Sequence, residues 1–474
     1  MLFNSAEYLF FFLGVLVVSW STVGLPKLRL WFLLLASYYF YLSNNHWLIL
    51  LIFASTGFDY VAGRVIDAAE DASWRKLWVA LSIVINLSPL AYFKYANFFA
   101  HSARGAAQVF GIELSWVDLN VALPVGISFY TFESMSYTID VYRRQRPAER
   151  SWQRYAFFIA FFPKLIAGPI VRASDFLPQL EHPPKLDVAT LDRNLFRIFK
   201  GLVKKIVLAD FLAQYADAAF DHPGSVDSLS AWLGVYAFAL QIYFDFSGYT
   251  DIALGSARLI GYRLPENFER PYLAVSVTEF WRRWHMSLST WLRDYLYISL
   301  GGNRMPTELG VYRNLMLTMV LGGLWHGAAW HFVIWGTIHG FLLAFERWRR
   351  GRSPRLGEAA AVATPHRILR AAAMFQLSVL LWIPFRAESV GTAGALLGKL
   401  VAFEAPEVVT VGMLLVVAIV SAAWLAQVFD EYVGTLDSQA AIPVLLKGLA
   451  YGVLFAAIVV MNSAGAQPFI YFQF

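Results

Sequence analysis

Long apolar runs alternate with short polar segments throughout the chain. A helix that crosses the hydrocarbon core of a bilayer needs about 20 predominantly apolar residues, so runs of this kind predict membrane spans. The pattern predicts an all-α polytopic membrane protein with about ten to twelve transmembrane helices. The clearest candidate spans are Ala6–Val23, Leu30–Ser43, His46–Val61, Leu77–Tyr95, Val121–Ile139, Ser230–Phe244, Ala371–Pro384, Val409–Val428 and Ile442–Met461.

Two segments do not fit a simple span. Tyr155–Val171 is apolar but short, and Pro163, Gly168 and Pro169 interrupt it. Irregular backbone is tolerated at membrane depth only where protein buries it, so we expect a re-entrant or interfacial segment here. Phe196–Phe220 carries lysines on an otherwise apolar pattern, which predicts a helix that lies partly among the lipid headgroups.

Composition excludes a soluble protein. Hydrophobic residues make up 58% of the chain and charged residues 15%, against roughly 25% charged residues in a soluble domain. Cysteine is absent, which excludes disulfides, a thiolate nucleophile and a cysteine-ligated metal. We also expect no cleaved signal peptide, because no basic segment precedes the first apolar run. The net charge of +5 mainly reports membrane orientation, and no nucleic-acid partner is expected.

Basic residues concentrate in particular loops between the spans. The loop Arg143–Arg154 holds five arginines, and Arg347–Arg370 is strongly basic. The positive-inside rule predicts that both loops face the cytoplasm and that the N-terminus does not.

The stretch Leu315–Glu346 contains three histidines in an apolar sequence. An ionisable side chain at membrane depth is costly, so it is a candidate functional residue. On one helix, His331 lies roughly 140° and His339 roughly 220° from His326, which argues against a metal site. His326 is a candidate general base, because imidazole titrates near neutral pH; the alternative is a hydrogen bond to a neighbouring helix. Small residues that let a backbone or ligand approach His326 are Gly322, Gly323, Gly327, Ala328 and Ala329.

The stretch Val277–Leu300 combines an aromatic helical face with a basic one. Arg282, Ser289 and Arg293 gather opposite the aromatic side chains, and His285 lies at the border. One interpretation is the floor of a site whose arginines face an anionic donor; the other is an interfacial helix with snorkelling arginines. The aromatic face consists of Phe280, Trp284, Leu288, Trp291 and Tyr295.

Further polar residues adjoin the apolar runs. DFSGYTD, from Asp245 to Asp251, follows the candidate span Ser230–Phe244 and predicts either a polar cavity wall or a plain helix cap. We include Asp245 and Ser247, and Trp325 beside His326, among the candidate substrate-binding or donor-binding residues.

Five stretches carry distinctive motifs: PVGISFYTFESMSYTIDVYR (Pro124–Arg143), FFPKLIAGPIVR (Phe161–Arg172), QIYFDFSGYTDIALG (Gln241–Gly255), EFWRRWHMSLSTWLRDYLYISLGGN (Glu279–Asn303) and GGLWHGAAWHF (Gly322–Phe332). Together they resemble the membrane-bound O-acyltransferase superfamily. They cover most of the chain in family order, and their combination is far more specific than any one of them. The resemblance is strongest to the bacterial branch, which includes proteins of alginate O-acetylation and of teichoic acid D-alanylation.

The resemblance implies which histidines act. The family's signature histidine falls on His326, and a second histidine of the bacterial branch falls on His285. The implied architecture has funnels from both membrane faces that meet near these residues. An acetyl group from cytosolic acetyl-CoA would cross there, with His326 as base and His285 positioning the acceptor or stabilising charge. No bound cofactor or metal is expected.

The resemblance also implies the cellular setting. We expect one membrane domain, with peripheral helices in residues 1–110, a catalytic core at about 121–346 and C-terminal helices in 366–474. The expected location is the bacterial cytoplasmic (inner) membrane. Expected partners are membrane lipids, a periplasmic or extracellular acetyltransferase and the polysaccharide synthesis machinery. The implied acceptor is a hydroxyl of an envelope polysaccharide such as alginate, or of a partner protein.

Two alternatives stay open at this stage. The first is D-alanyl transfer to teichoic acid from a charged carrier protein. The second is a transporter or proton channel that uses the histidines as a relay.

Overall fold

The computed structural model describes residues 1–120, 123–182, 184–185, 187–351, 365–406, 408–432, 448, 452 and 468–470. Within these residues the chain is helical and contains no β-strand, which confirms the all-α fold class. The predicted span Ile442–Met461 lies almost entirely outside the described residues, as do residues 352–364 of the second basic loop.

The described residues form two compact units. The first comprises Met1–Phe199 and Thr250–Pro265, and the second comprises Lys200–Tyr249 and Glu266–Phe474. The functional division into residues 1–110, 121–346 and 366–474 stays a prediction.

Most helices of the first unit come from the N-terminal part of the chain. They are α1 (Ala6–Ser21), α2 (Pro26–Asn45), α3 (Ile49–Ala68), α4 (Ala72–Leu90), α5 (Ala96–Val109), α6 (Ile127–Tyr142), α7 (Trp152–Ala160), α8 (Phe162–Leu165), α9 (Ala173–Phe176) and most of α10 (Val188–Leu202).

The helices of the second unit include the segments that carry the candidate site. They are α11 (Asp210–Asp221), α12 (Ser228–Ile260, whose end belongs to the first unit), α13 (Val277–Arg283), α14 (Met286–Trp291), α15 (Glu308–His326), α16 (Trp330–Gly351), α17 (Pro365–Arg386), α18 (Val390–Val401) and α19 (Val411–Tyr432).

Several of these helices can cross a membrane. Among the described residues, five are long and apolar enough by length and composition, and α1 and α18 are apolar but shorter. The chain is therefore a multi-pass membrane protein, while the total of ten to twelve spans stays a prediction. The five are Ile49–Ala68, Ala72–Val109, Ser228–Ile260, Pro365–Arg386 and Val411–Tyr432.

The segment Tyr155–Val171 is short and irregular, as its sequence predicts. It forms α7, α8 and a non-helical continuation, and every one of its residues is buried. Its one charged side chain, Lys164, forms an ion pair with Glu133 of α6. Glu133 also accepts a hydrogen bond of 3.0 Å from the backbone N–H of Val171. The buried charge is thus paired, as a charge away from water must be.

The predicted end of the span at Phe244 is wrong. Helix α12 continues without a break from Ser228 to Ile260, so DFSGYTD lies inside a helix and cannot be its cap. The side chains from Asp245 to Asp251 are all buried, and they are therefore part of the packed interior.

Candidate active site

The histidine-rich stretch is a hairpin of two helices. Helix α15 ends at His326 and α16 begins at Trp330, so the angles predicted for one continuous helix do not apply. Within the hairpin, a Cβ at Gly323 would overlap the carbonyl oxygen of Phe332, and one at Gly336 would overlap that of Met319. These glycines therefore allow the two backbones to approach each other closely.

His326 is the last residue of α15 and is surrounded by aromatic rings. It is 5% exposed. Ring centroids of Trp325, Trp335 and Phe385 lie 5.0, 5.3 and 5.2 Å from the imidazole centroid. The imidazole is thus held in an apolar pocket of defined shape.

His285 lies at a break between two short helices. Its backbone has φ 43° and ψ 54°, the left-handed region, and its side chain is fully buried. A non-glycine residue in that region costs roughly 1–2 kcal/mol. The prediction of one helix over Val277–Leu300 is therefore wrong. Such strained positions cluster at functional sites, where the surrounding structure enforces them.

Two backbone hydrogen bonds enforce this break. The N–H of Met286 donates to the carbonyl oxygen of Asn267 at 2.9 Å, and the N–H of Glu269 donates to that of Arg283 at 3.0 Å. The fully buried Asn267 also accepts a hydrogen bond of 3.3 Å from the N–H of Ser287 through its side chain. Asn267 therefore positions His285, although no spacing in the sequence links the two residues.

A carboxylate of α19 strengthens the same junction. Glu431 accepts two hydrogen bonds from Arg283, at 3.1 and 3.0 Å, and lies 2.9 Å from the Nε of Arg270. Arg270 is itself left-handed, with φ 46°. Glu431 is 148 residues from Arg283 in the sequence, so only the fold brings them together.

The two candidate histidines both contact one indole, that of Trp325. The ring centroid of Trp325 lies 6.0 Å from that of His285 and 5.0 Å from that of His326. Phe246 of α12 lies 4.7 Å from His285. The structure thus brings together His285, His326 and Trp325, all three of which the sequence marks as candidates.

Two candidate residues on α12, Asp245 and Ser247, differ in their contacts. Asp245 lies 2.5 Å from the Nζ of Lys205 and accepts a hydrogen bond of 2.7 Å from the N–H of Ile470. Both contacts commit this carboxylate within the protein, and donor binding by Asp245 stays a prediction. Ser247 is 4% exposed, and its Oγ has no hydrogen-bond partner among the described residues.

The predicted basic face does not form. Ser289 donates a hydrogen bond of 3.1 Å to the carbonyl oxygen of Trp284, and so bridges the helix break. Arg293 is exposed and lies 2.7 Å from its neighbour Asp294. Arg282 instead lines a cleft of about 710 Å³. The predicted common face of Arg282 and Arg293 is wrong because the break at His285 interrupts the helical period.

Among the described residues, the cleft presents one cation without a partner, Arg282. Its Arg347 donates two hydrogen bonds to Glu308, at 2.9 and 3.1 Å, and one of 2.9 Å to Asn303. The hydrogen bonds from Arg347 also hold the pKa of the Glu308 carboxyl below its ordinary range. Arg282 is exposed and makes no hydrogen bond or ion pair to a described residue. Arg282 is therefore free to bind an anion.

The other two histidines of the hairpin contact protein groups. His331 lies 3.1 Å through Nδ1 from the carbonyl oxygen of Pro384, and Trp281 donates to Nδ1 of His339 at 3.3 Å. No group of three histidine, aspartate or glutamate side chains in the described residues could hold a metal ion. A structural role fits both histidines.

Several known proteins are similar to this chain in sequence. The profile of the membrane-bound O-acyltransferase family matches residues 143–355, a range that contains both candidate histidines. A probable alginate O-acetylase of Azotobacter vinelandii is 40% identical over 100% of both chains. A peptidoglycan O-acetyltransferase of Helicobacter pylori is 35% identical over 83% of this chain and 78% of its own.

A more distant relative matches about half of the chain. The teichoic acid D-alanyltransferase of Bacillus subtilis is 30% identical over 48% of this chain and 60% of its own. Because the likeness to the first relative extends over the whole of both sequences, the chain belongs to the membrane-bound O-acyltransferase family and is a multi-pass membrane acyltransferase.

Proposed function

We propose that the protein transfers an acetyl group from cytosolic acetyl-CoA, across the membrane, to a hydroxyl acceptor in the cell envelope. The acceptor is an envelope polysaccharide or exopolysaccharide such as alginate, or a partner protein that passes the acetyl group on. The observation that carries the proposal is a pair of buried histidines, His285 and His326, that both contact the ring of Trp325. The names of the relatives, two of them O-acetylating enzymes, support the acetyl group.

The proposed chemistry requires one base and one stabilising group. His326 removes the proton from the acceptor hydroxyl, whose oxygen attacks the carbonyl carbon of the thioester. The carbon–sulfur bond breaks, and the CoA thiolate takes the proton back from the imidazolium. His285 contacts the same indole, that of Trp325, and positions the acceptor or stabilises the developing oxyanion.

Transfer in sealed vesicles tests the proposal. The purified protein is reconstituted with acetyl-CoA on one side and an alginate oligosaccharide, with or without the candidate partner, on the other. Acetylated acceptor and free CoA in equal amounts are the expected result. Transfer only from a D-alanyl carrier protein would support the teichoic acid alternative. Proton conduction without any acyl transfer would support a histidine relay and overturn the proposal.

The donor phosphates are proposed to bind in the cleft at Arg282. Arg282→Gln removes the unpaired cation, so the KM for acetyl-CoA should rise by about tenfold or more, as expected for one charged hydrogen bond. The kcat should change little, because phosphates distant from the thioester contribute uniform binding. Donor titrations of the initial rate measure both constants.

Arg293→Gln is the matched control for this prediction. It removes the same group from the same segment, but Arg293 pairs with Asp294 and does not line the cleft. Its KM should equal that of the wild type. An unchanged KM for Arg282→Gln would assign that arginine to the lipid surface.

The proposed location is the bacterial cytoplasmic membrane, with the N-terminus outside the cytoplasm. Single cysteines at Glu7 and Gln145, both exposed, can be labelled with an impermeant thiol reagent because the chain has no cysteine of its own. Glu7→Cys should react in intact cells, and Gln145→Cys only after lysis. The reverse pattern would invert the proposed orientation.

The proposed partners follow from this orientation. A polysaccharide acceptor lies outside the cytoplasm, so we expect a periplasmic or extracellular acetyltransferase and the polysaccharide synthesis machinery on that side. Acetyl-CoA serves as a substrate on the cytoplasmic side, and the surrounding membrane lipids are also expected partners. The alginate O-acetylase name of the Azotobacter vinelandii relative supports this setting.

A further inference from the structure

A groove of about 700 Å³ opens in the first unit at one end of α3 and α4. Helix α3 ends at Ala68 and α4 begins at Ala72, and both belong to candidate membrane spans. A short turn between two spans lies at a membrane surface. Tyr60 and Trp74 line the groove, and aromatic side chains of these types are enriched at that depth. The groove is therefore at the level of the lipid headgroups.

Two arginines give the groove its positive charge. Arg64 and Arg150 line it, and both are exposed. The hydroxyl of Tyr60 donates to the carbonyl oxygen of Arg150 at 2.7 Å and lies 3.5 Å from a guanidinium nitrogen of Arg64. In the part of the chain that the structure describes, neither guanidinium has an acidic partner. A planar guanidinium binds phosphate through paired hydrogen bonds.

One carboxylate shares the groove with these arginines. Asp67 lines it, and its side chain has no hydrogen bond or ion pair to a described residue. Its backbone is held in place because Arg144 donates to the carbonyl oxygens of Asp67 and Ala69, both at 3.2 Å. The groove thus offers two cations and one anion in a fixed frame.

We propose that this groove binds a phospholipid with a primary amine headgroup, as in phosphatidylethanolamine. The phosphate lies between Arg64 and Arg150, and the ammonium donates to Asp67. The acyl chains follow the outer face of α3, where Val61 is exposed. Choline cannot donate a hydrogen bond to the carboxylate, and glycerol brings no positive charge to it. The site is independent of the acyl-transfer proposal.

Lipid titration of the detergent-purified full-length protein, followed by native mass spectrometry, tests the site. The probes are phosphatidylethanolamine, phosphatidylglycerol and phosphatidylcholine with identical acyl chains, and the soluble ester glycerophosphoethanolamine. The first lipid should bind at least about tenfold more tightly than each of the others, as expected for an added charged hydrogen bond. Equal binding of the three lipids would overturn the proposal. If glycerophosphoethanolamine bound as tightly as phosphatidylethanolamine, the ligand of the groove would be a small phosphate ester and the lipid proposal would be overturned.

Three variants assign the headgroup contacts. Arg64→Gln and Arg150→Gln should each weaken binding of phosphatidylethanolamine about tenfold or more. Asp67→Asn should bind phosphatidylethanolamine no more tightly than phosphatidylglycerol, and its affinity for phosphatidylglycerol should not fall. Arg304→Gln, an exposed arginine of the other unit, is the control and should bind as the wild type does. Unchanged lipid preference in Asp67→Asn would overturn the ammonium contact, even if the arginine variants failed to fold.

Discussion

Replacing His326 with glutamine is expected to lower the rate of acyl transfer by about 10²–10⁴-fold, the usual contribution of a general base. Glutamine keeps a polar side chain of similar size among the rings of Trp325, Trp335 and Phe385, so the pocket stays filled. The initial rate of acetyl transfer in reconstituted vesicles is the measurement. The KM for acetyl-CoA should stay near that of the wild type, because the imidazole acts on the acceptor.

His331→Gln is the control from the same helical hairpin. His331 contacts the carbonyl oxygen of Pro384 rather than the aromatic pocket around His326. Its replacement should therefore lower the melting temperature and leave the rate of acetyl transfer near that of the wild type. A normal rate in correctly folded His326→Gln protein would show that His326 is not the base. In that case the hydrogen-bonding alternative for this residue would be right.

The sequence is sufficient to mark His285 and His326 as candidates because their signal is local. An imidazole in an apolar run can be recognised from the sequence, whatever the fold. The same is true of His285, which stands among tryptophans and arginines. The burial of Tyr155–Val171 was equally predictable, because prolines and glycine exclude a regular span there. These predictions need only the residues themselves and their neighbours.

The geometry of the site depends on contacts between distant segments. Helical period alone predicted one helix through His285, but Asn267 supplies the hydrogen bonds that stabilise a break there. Likewise, the sequence marks Asp245 as a candidate substrate contact but does not predict its ion pair with Lys205. In the sequence, the glycines near His326 allow either a ligand or a backbone to approach. In the structure, the backbone of α16 takes this space at Gly323.

His285 offers a test that separates chemistry from backbone strain. Because its φ is 43°, glycine at this position should relieve roughly 1 kcal/mol of strain that alanine retains. His285→Gly should therefore melt at a higher temperature than His285→Ala. Both variants lack the imidazole, so both should lose about 10²–10³-fold in kcat, the range seen when one oxyanion donor is removed.

His285→Asn completes the series. Asparagine tolerates the left-handed region better than most residues and keeps a hydrogen-bond donor, so it should recover part of the lost kcat and also fold well. The expected order of kcat is wild type, then Asn, then Gly and Ala together, whereas the expected order of stability separates Gly from Ala. Melting temperatures and kcat measured on the same preparations compare the two orders. If kcat instead rose from Ala to Gly in step with stability, His285 would be a structural residue of the helix break, and His326 would act without it.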